Sequence, residues 1–396
     1  MDSIKRNKKL FIDEEAFITL SMMNEKLLYP VTKLMNKKEA EEVNKTSLYN
    51  GKTFPFAFIL APSGKRNEEV LKNSSPNQII ELYCNNKKVG SIKVEEIFEI
   101  DRLERVKKIY GTTDINHKGV AKTLKRLGKF AISGELNLIN SPIKKDIENL
   151  KKIIKKNNAK NIVGITTNGN PFHRVHERII RLALENNDMV ILFLTKNLKN
   201  RGINFSTRYK ALKIITDNFF PKEKIMILPL NNTYIFSGLN EVIMDSIVIK
   251  NFGCNKFVMG QTHEGLGIHY ENQHIKTIFD ILKGIKLETM TINEYVYCDI
   301  CKTMVSTNSC PHGSHHHIKY HSEAILTLLK EGIIPPPIML RKELTSLYLS
   351  SLFPDRFKKL QQLYYDLIPN NGIIEKIDEN EFYLKLIKLY QTTSMS

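Results

Sequence analysis

The chain has 396 residues, 42% of them hydrophobic and 26% charged; that is enough for two or three packed domains and excludes both a disulfide-held mini-protein and a wholly disordered chain. The longest unbroken apolar runs reach six residues, as in Met189–Leu194, far short of the roughly 20 needed to cross a bilayer, so no membrane span is expected. Lys and Arg exceed Asp and Glu by 59 to 42, a net +17, but the excess is mostly lysine scattered in pairs such as Lys8-Lys9 and Lys151-Lys152, which reads as a solvated basic surface and not as a nucleic-acid footprint.

At the N-terminus, Leu10-Phe11-Ile12 is stopped at once by Asp13, Glu14 and Glu15. No signal-peptide core is left, and a cytoplasmic location is expected. Up to about residue 145 the pattern is one of short strands and turns. Phe54–Leu60, Gln78–Cys84 and Val89–Val94 are predicted strands, with Asn85–Lys88 as a hairpin turn between the last two. A lysine-rich helix over Ile143–Asn157 follows, and from Asn161 the pattern changes. Strands at Ile162–Ile165, Met189–Leu194, Lys224–Pro229 and Lys256–Gly260 alternate with helices over Val175–Glu185, Arg208–Asn218 and Asn240–Asn251. That alternation implies a parallel sheet with helices on its faces. Ligands of such sheets bind beyond the carboxyl ends of the strands, which places the catalytic candidates just after Ile165 and just after Met259. Leu349–Tyr365, interrupted by Pro354, and Glu379–Tyr390 carry apolar and aromatic residues at helical spacing; these predict a helical extension whose stripe is packed core or a subunit contact.

Two clusters carry chemistry. After the first strand of the alternating region comes Thr166-Thr167-Asn168-Gly169-Asn170-Pro171-Phe172-His173-Arg174-Val175-His176. Two histidines three residues apart at a helix start would share one face beside unpaired backbone N–H groups, a natural phosphate site. The plainer alternative is a helix cap with two surface histidines, because His-x-x-His alone is a weak signal. The second cluster is Cys298-Asp299-Ile300-Cys301, then Cys310-Pro311-His312, with His315, His316 and His317 close behind. Three thiols and a histidine at short range are how a structural Zn²⁺ is held, and a redox Cys-x-x-Cys would need neither the third cysteine nor the histidines. Among the histidines His315 is preferred as fourth ligand, because Cys-x4-His gives the chain room to turn whereas His312 lies only two residues after Cys310; the others stay open. Cys84 and Cys254 read as buried thiols.

The first cluster resembles the Asn-Pro-x-His-x-x-His signature of the ATP sulfurylase (sulfate adenylyltransferase) family. The resemblance runs over about residues 20 to 348. It is carried also by Tyr29-Pro30-Val31 with Leu34-Met35-Asn36, by Tyr110–Asp114 with His117, Gly119 and Val120, by Asn218–Pro221, by Lys250–Cys254 and by Gly260–Gly265. It implies an α/β chain with a PUA-like β-rich domain over 1–158, a Rossmann-like parallel-sheet nucleotidyltransferase domain over 159–290 and a zinc-bearing subdomain over 291–348; the helical C-terminal extension over 349–396 lies beyond it and is read from its periodicity alone. The resemblance further implies that a sulfate oxygen attacks the α-phosphorus of ATP while pyrophosphate leaves in line, with no covalent enzyme intermediate. Asn170, His173 and His176 would be the catalytic group holding the ATP phosphates, with Thr167, Gly169, Gly260, His263 and Gly265 around the nucleotide. Mg²⁺ would arrive with ATP, and self-association is common among members.

The departures are as informative. The family's Gln-Thr-Arg-Asn-Pro is here Thr-Thr-Asn-Gly-Asn-Pro, and its Gly-Arg-Asp-His-Ala-Gly is Gly260-Gln261-Thr262-His263-Glu264-Gly265. Arginines are also absent from Ile235–Glu241 and from Ser322–Leu326. A neutral amide or a lysine does not reproduce a planar bidentate oxyanion clamp. Arg174 and Arg208 are therefore the candidates to hold the anion. Failing that, the acceptor or the nucleotide differs, or the chain is a non-catalytic nucleotide-binding homologue.

Overall fold

The computed structural model describes residues 8–197, 202–237, 240–260, 284–369 and 376–390. The chain divides into two compact units, residues 1–164 with 231–290, and residues 165–230 with 291–396. The cysteine- and histidine-bearing segment and the C-terminal helices fall in the same unit as residues 165–230.

The first unit is built on strands β1 (Lys8–Phe11), β4 (Leu60–Pro62), β5 (Ile79–Cys84), β6 (Lys87–Glu99) and β7 (Leu127–Leu138), with a small ribbon of β2 (Leu48–Tyr49) and β3 (Lys52–Thr53) beside them. The five-stranded sheet has the order β1-β5-β6-β7-β4. β1 runs parallel to β5, Leu10 opposite Leu82, and the remaining pairs are antiparallel. Alternation fixes the register: Ile80 and Leu82 are buried while Ile79 is exposed. The β5–β6 turn is tighter than expected, made by Asn85 and Asn86 alone, both at positive φ as a two-residue hairpin requires. Phe54–Ile59, expected as a strand, is buried but irregular, and only Leu60 onward pairs. An unbroken apolar run records burial without recording a ladder, and Pro55 cannot donate to one.

Helices α1 (Glu14–Asn24), α2 (Lys37–Thr46), α3 (Lys65–Lys72), α4 (Arg102–Tyr110), α5 (Lys118–Arg126) and α6 (Lys144–Lys156) complete that region. Their starts are written locally. Asp13 accepts from the N–H of Ala16, Asp101 from those of Leu103 and Glu104, and Asn36 with Glu39 forms a reciprocal capping box.

The alternating region forms β8 (Ile162–Thr167), α7 (Arg174–Glu185), β9 (Met189–Asn197), α8 (Phe205–Phe219), β10 (Ile225–Asn232), α9 (Glu241–Asn251), β11 (Lys256–Gly260) and β12 (Glu288–Ile292). These strands make a parallel α/β sheet of order β10-β9-β8-β11-β12. Every residue of Met189–Leu194 is buried. A strand covered on both faces has no polar face to alternate with, which is why it reads as a continuous apolar run. Beyond the sheet, β13 (Tyr295–Cys298), β14 (Thr303–Ser306) and β15 (His317–Lys319) form an antiparallel ribbon of order β14-β13-β15. Helices Ser322–Lys330, Lys342–Leu352, Leu360–Leu367 and Glu379–Leu389 follow. Tyr364, Ile368 and Phe382 form a small core in the extension, with Phe357 packed edge-on against Phe382 at 5.4 Å. None of the described helices is long and apolar enough to cross a membrane.

Candidate active site

β8 delivers the chain to the site and ends at Thr167. The Thr167 hydroxyl accepts the N–H of Gly169 at 3.1 Å, and Gly169 turns the backbone at φ +55°. The Asn170-Pro171 peptide is cis. The N–H of Phe172 donates to the hydroxyl of the fully buried Tyr348 at 3.1 Å, and the N–H of Arg174 donates to the Met339 carbonyl at 3.0 Å. The turn between β8 and α7 is thus held from residues more than 160 positions away.

His173 is the N-cap of α7 and is buried, 4% exposed, so it is not a surface histidine. Its Nε2 lies 3.0 Å from the Ser322 hydroxyl, while its Nδ1 is buried and has no hydrogen-bond partner among the described residues. The N–H of His173 donates to Nδ1 of His176 at 3.1 Å, and the two rings sit 4.0 Å apart. Because Nδ1 of His176 accepts, the neutral ring carries its proton on Nε2, a donor facing away from the cap. Phe172 stacks on His176 at 4.9 Å. Burial holds the His173 pKa well below its ordinary value, with the neighbouring His176 adding to the effect, and burial pushes His176 down to about 4. Both imidazoles are therefore neutral at pH 7. They supply directed N–H donors and no fixed charge, at the positive end of a helix dipole.

The other candidates are placed as follows. Asn170 Oδ1 accepts the N–H of Ile203 at 3.0 Å, and Gly202, at φ +91°, lies so close that a Cβ there would meet the Asn170 amide at 2.6 Å. Asn170 thus ties the β8–α7 turn to the segment that opens α8. Arg208 is buried, and its guanidinium donates to the carbonyls of Ile203, Asn168 and Thr195 and to the Asn168 side chain. It clamps backbone. Arg174 is partly exposed and pairs with Glu177 at 3.1 Å. Gly260 ends β11, and His263 and Gly265 lie outside the described residues.

Sequence reading missed the second layer. Glu177, one turn beyond His173, is buried and receives Arg341 in a bidentate pair, with contacts of 2.8 to 2.9 Å. Arg341 also lies 3.5 Å over the Phe219 ring. The only local signal was a glutamate on the buried side of α7. Its partner, like Tyr348 and Ser322, comes from residues too distant for any spacing rule to find.

The Cys/His cluster joins the β13–β14 turn, which carries Cys298 and Cys301, to the β14–β15 connection, which carries Cys310 and His312. Cys298, Cys301, Cys310 and His312 bring one ligand atom each within 4.8 Å of one another. Nδ1 of His312 lies 3.4, 3.3 and 3.6 Å from the three sulfurs, and Cys301 and Cys310 sulfurs are 3.9 Å apart. A tetrahedron with Zn–S of about 2.3 Å and Zn–N of about 2.1 Å has S–S edges of about 3.8 Å and S–N edges of about 3.6 Å, so the donor set fits a four-coordinate zinc. The fourth group is His312 and not the expected His315. Nδ1 is the near ring nitrogen, so a histidine two residues past Cys310 reaches the sulfurs without further turn, whereas the His315 ring lies over Gly313 and against His316 at 4.1 Å.

The ATP-sulfurylase family model matches residues 142–350, over half of the chain, and a PUA-like domain model matches residues 1–141. The chain belongs to the ATP-sulfurylase family. Among its relatives, the sulfate adenylyltransferase of Persephonella marina is 28% identical over 87% of this chain and 92% of its own length. That of Staphylothermus marinus is 29% identical over 73% of this chain and 76% of its own. A solved structure, the hexameric APS kinase from Thiobacillus denitrificans, shares the fold at a TM-score of 0.64 and 14% identity, over 86% of this chain; the chain spans 62% of that structure's length.

Proposed function

We propose that this ATP-sulfurylase family member is a sulfate adenylyltransferase, transferring AMP from ATP to sulfate with release of pyrophosphate. The observation that carries the reading is the pair of neutral, mutually ordered imidazoles at the start of α7. Direct in-line displacement at phosphorus asks the protein for positioning and for donors aimed at charge developing on the phosphoryl oxygens. In this reading His173, His176 and the backbone turn Thr167–Asn170 hold the phosphates of Mg²⁺-bound ATP, and Gly260, His263 and Gly265 border the nucleotide. Arg174, the less buried of the two nominated arginines, serves the anion, and Arg208 shapes the turn. The Cys298, Cys301, Cys310 and His312 cluster holds a structural zinc: four protein ligands leave no open position for chemistry.

A second reading draws on one specific observation. Arg208 is committed to backbone oxygens and Arg174 to Glu177, which favours an acceptor less demanding of a guanidinium clamp than sulfate. Pyrophosphate release on mixing the protein with ATP, Mg²⁺ and a panel of anions separates the two. Stimulation by sulfate above all others supports the first reading. Stimulation by a different anion supports the second, and nucleotide binding without turnover overturns both.

A further inference from the structure

The N-terminal unit contains a cavity of about 290 Å³, the space of roughly ten water molecules. Its walls are largely apolar, with Ile59, Leu60, Ile109 and Leu127 among them. Asp13 at its edge is exposed, so it reaches the surface there. Two arginines line it, and they differ in one respect. Arg126 is neutralised, pairing with Asp13 and with the buried Glu15 at 2.5 Å each. Arg105 is 3% exposed and pairs with no carboxylate among the described residues. Its guanidinium donates to the Ala57 carbonyl, bonds to the Tyr234 hydroxyl and lies 5.4 Å from the Phe56 ring centre. A buried guanidinium with five donors and no counter-charge among the described residues carries a desolvation cost that neutral partners offset only in part. An anion seated in the cavity would supply the missing charge.

We propose that this cavity is a binding site for a small monocarboxylate with an apolar body, its carboxylate taken by Arg105 and its hydrocarbon part by the apolar walls. One guanidinium suits a monoanion. The free hydroxyl-rich shell that a phosphate or sulfate dianion needs is not there: the Ser63 hydroxyl already bonds the Lys125 carbonyl, the Thr123 hydroxyl bonds Tyr110, and Asn67 is engaged with the backbone of Phe11 and Ser63. The site stands independently of the catalytic reading, because its residues all belong to the N-terminal unit.

The test uses the full chain and thermal unfolding, with 4-methylpentanoate and benzoate as probes, benzamide as the uncharged isostere of benzoate, and inorganic phosphate as the small-anion control. Both carboxylates are expected to raise the midpoint saturably, because a ligand that binds only the folded state stabilises it in proportion to its occupancy. Benzamide and phosphate should leave it unmoved. Arg105→Gln should weaken carboxylate binding at least tenfold. Ala16→Leu, which fills the cavity and leaves Arg105 in place, should do the same and keeps the test decisive if the Arg105 variant does not fold. The proposal is overturned if neither acid binds saturably below roughly 10 mM, a bound of about 3 kcal/mol in affinity. An equal response to benzamide or phosphate, or undiminished binding in the folded variants, overturns it as well.

Discussion

Arg341→Met removes the guanidinium that holds α7 by Glu177. Both groups are largely withdrawn from solvent, at 19% and 4% side-chain exposure, and the pair makes three contacts within 2.9 Å. Breaking a buried pair by deleting one partner costs about 3–5 kcal/mol, because the surviving charge is left uncompensated. Here Arg174, also on Glu177 at 3.1 Å but 34% exposed, compensates in part, so the lower end, about 3 kcal/mol, is expected. A unit of this size shifts by about 2–4 °C per kcal/mol, which gives a fall of about 6–12 °C in the unfolding midpoint by calorimetry. Turnover should fall too, since His173 sits one turn from Glu177. Adding Glu177→Gln removes the stranded charge and should recover at least about 1 kcal/mol in a double-mutant cycle. A single-variant loss below about 1 kcal/mol, or strictly additive behaviour of the pair, would refute the view that this ion pair fixes the start of α7.

Three further outcomes follow from the geometry. Because the folded-state pKa values of His173 and His176 lie below the ordinary 6.5, the unfolded chain takes up protons that the folded chain refuses; stability should decline as pH falls from about 6.5 toward 4, and His176→Gln should flatten that slope in midpoint-versus-pH curves. Metal analysis should find one zinc per chain, lost with His312→Ala and kept with His315→Ala; the opposite order would return the fourth ligand to His315. Gly202→Ala places a Cβ at positive φ against the Asn170 amide, and should lower both stability and nucleotide affinity, whereas Gly253→Ala, equally strained but with only a side-chain methyl nearby at 3.7 Å, should lower stability alone.

The alternating region from β8 to β11 was legible in the sequence because its elements are strongly periodic and separated by clear turns. Strand β11 falls where expected, and α7 and α9 begin within one residue of it. The histidine pair was legible as well, since a strand, a Gly/Asn turn and a helix start are all local. What escaped was set by long-range contacts. Phe54–Ile59 looks like a strand because burial and pairing leave the same apolar signature. The 12-residue strand β7 was not singled out; Gly128 and Gly134 interrupt its pattern, and it begins directly at the end of α5. Arg208 was nominated as an anion ligand because the family's other arginines are missing, yet its partners are carbonyls and the Asn168 amide, brought together only by the folded turn. The choice between His312 and His315 turned on which ring nitrogen faces the sulfurs, and spacing alone does not carry that information.

The central claim is tested most directly by following labelled sulfate into adenylyl sulfate with purified protein, ATP and Mg²⁺. The account predicts that label appears in adenylyl sulfate in step with pyrophosphate, and that His173→Ala and His176→Ala each lower the rate by about 10² or more while the fold is kept. Pyrophosphate released without label transfer, or label transfer that survives in both histidine variants, would contradict it.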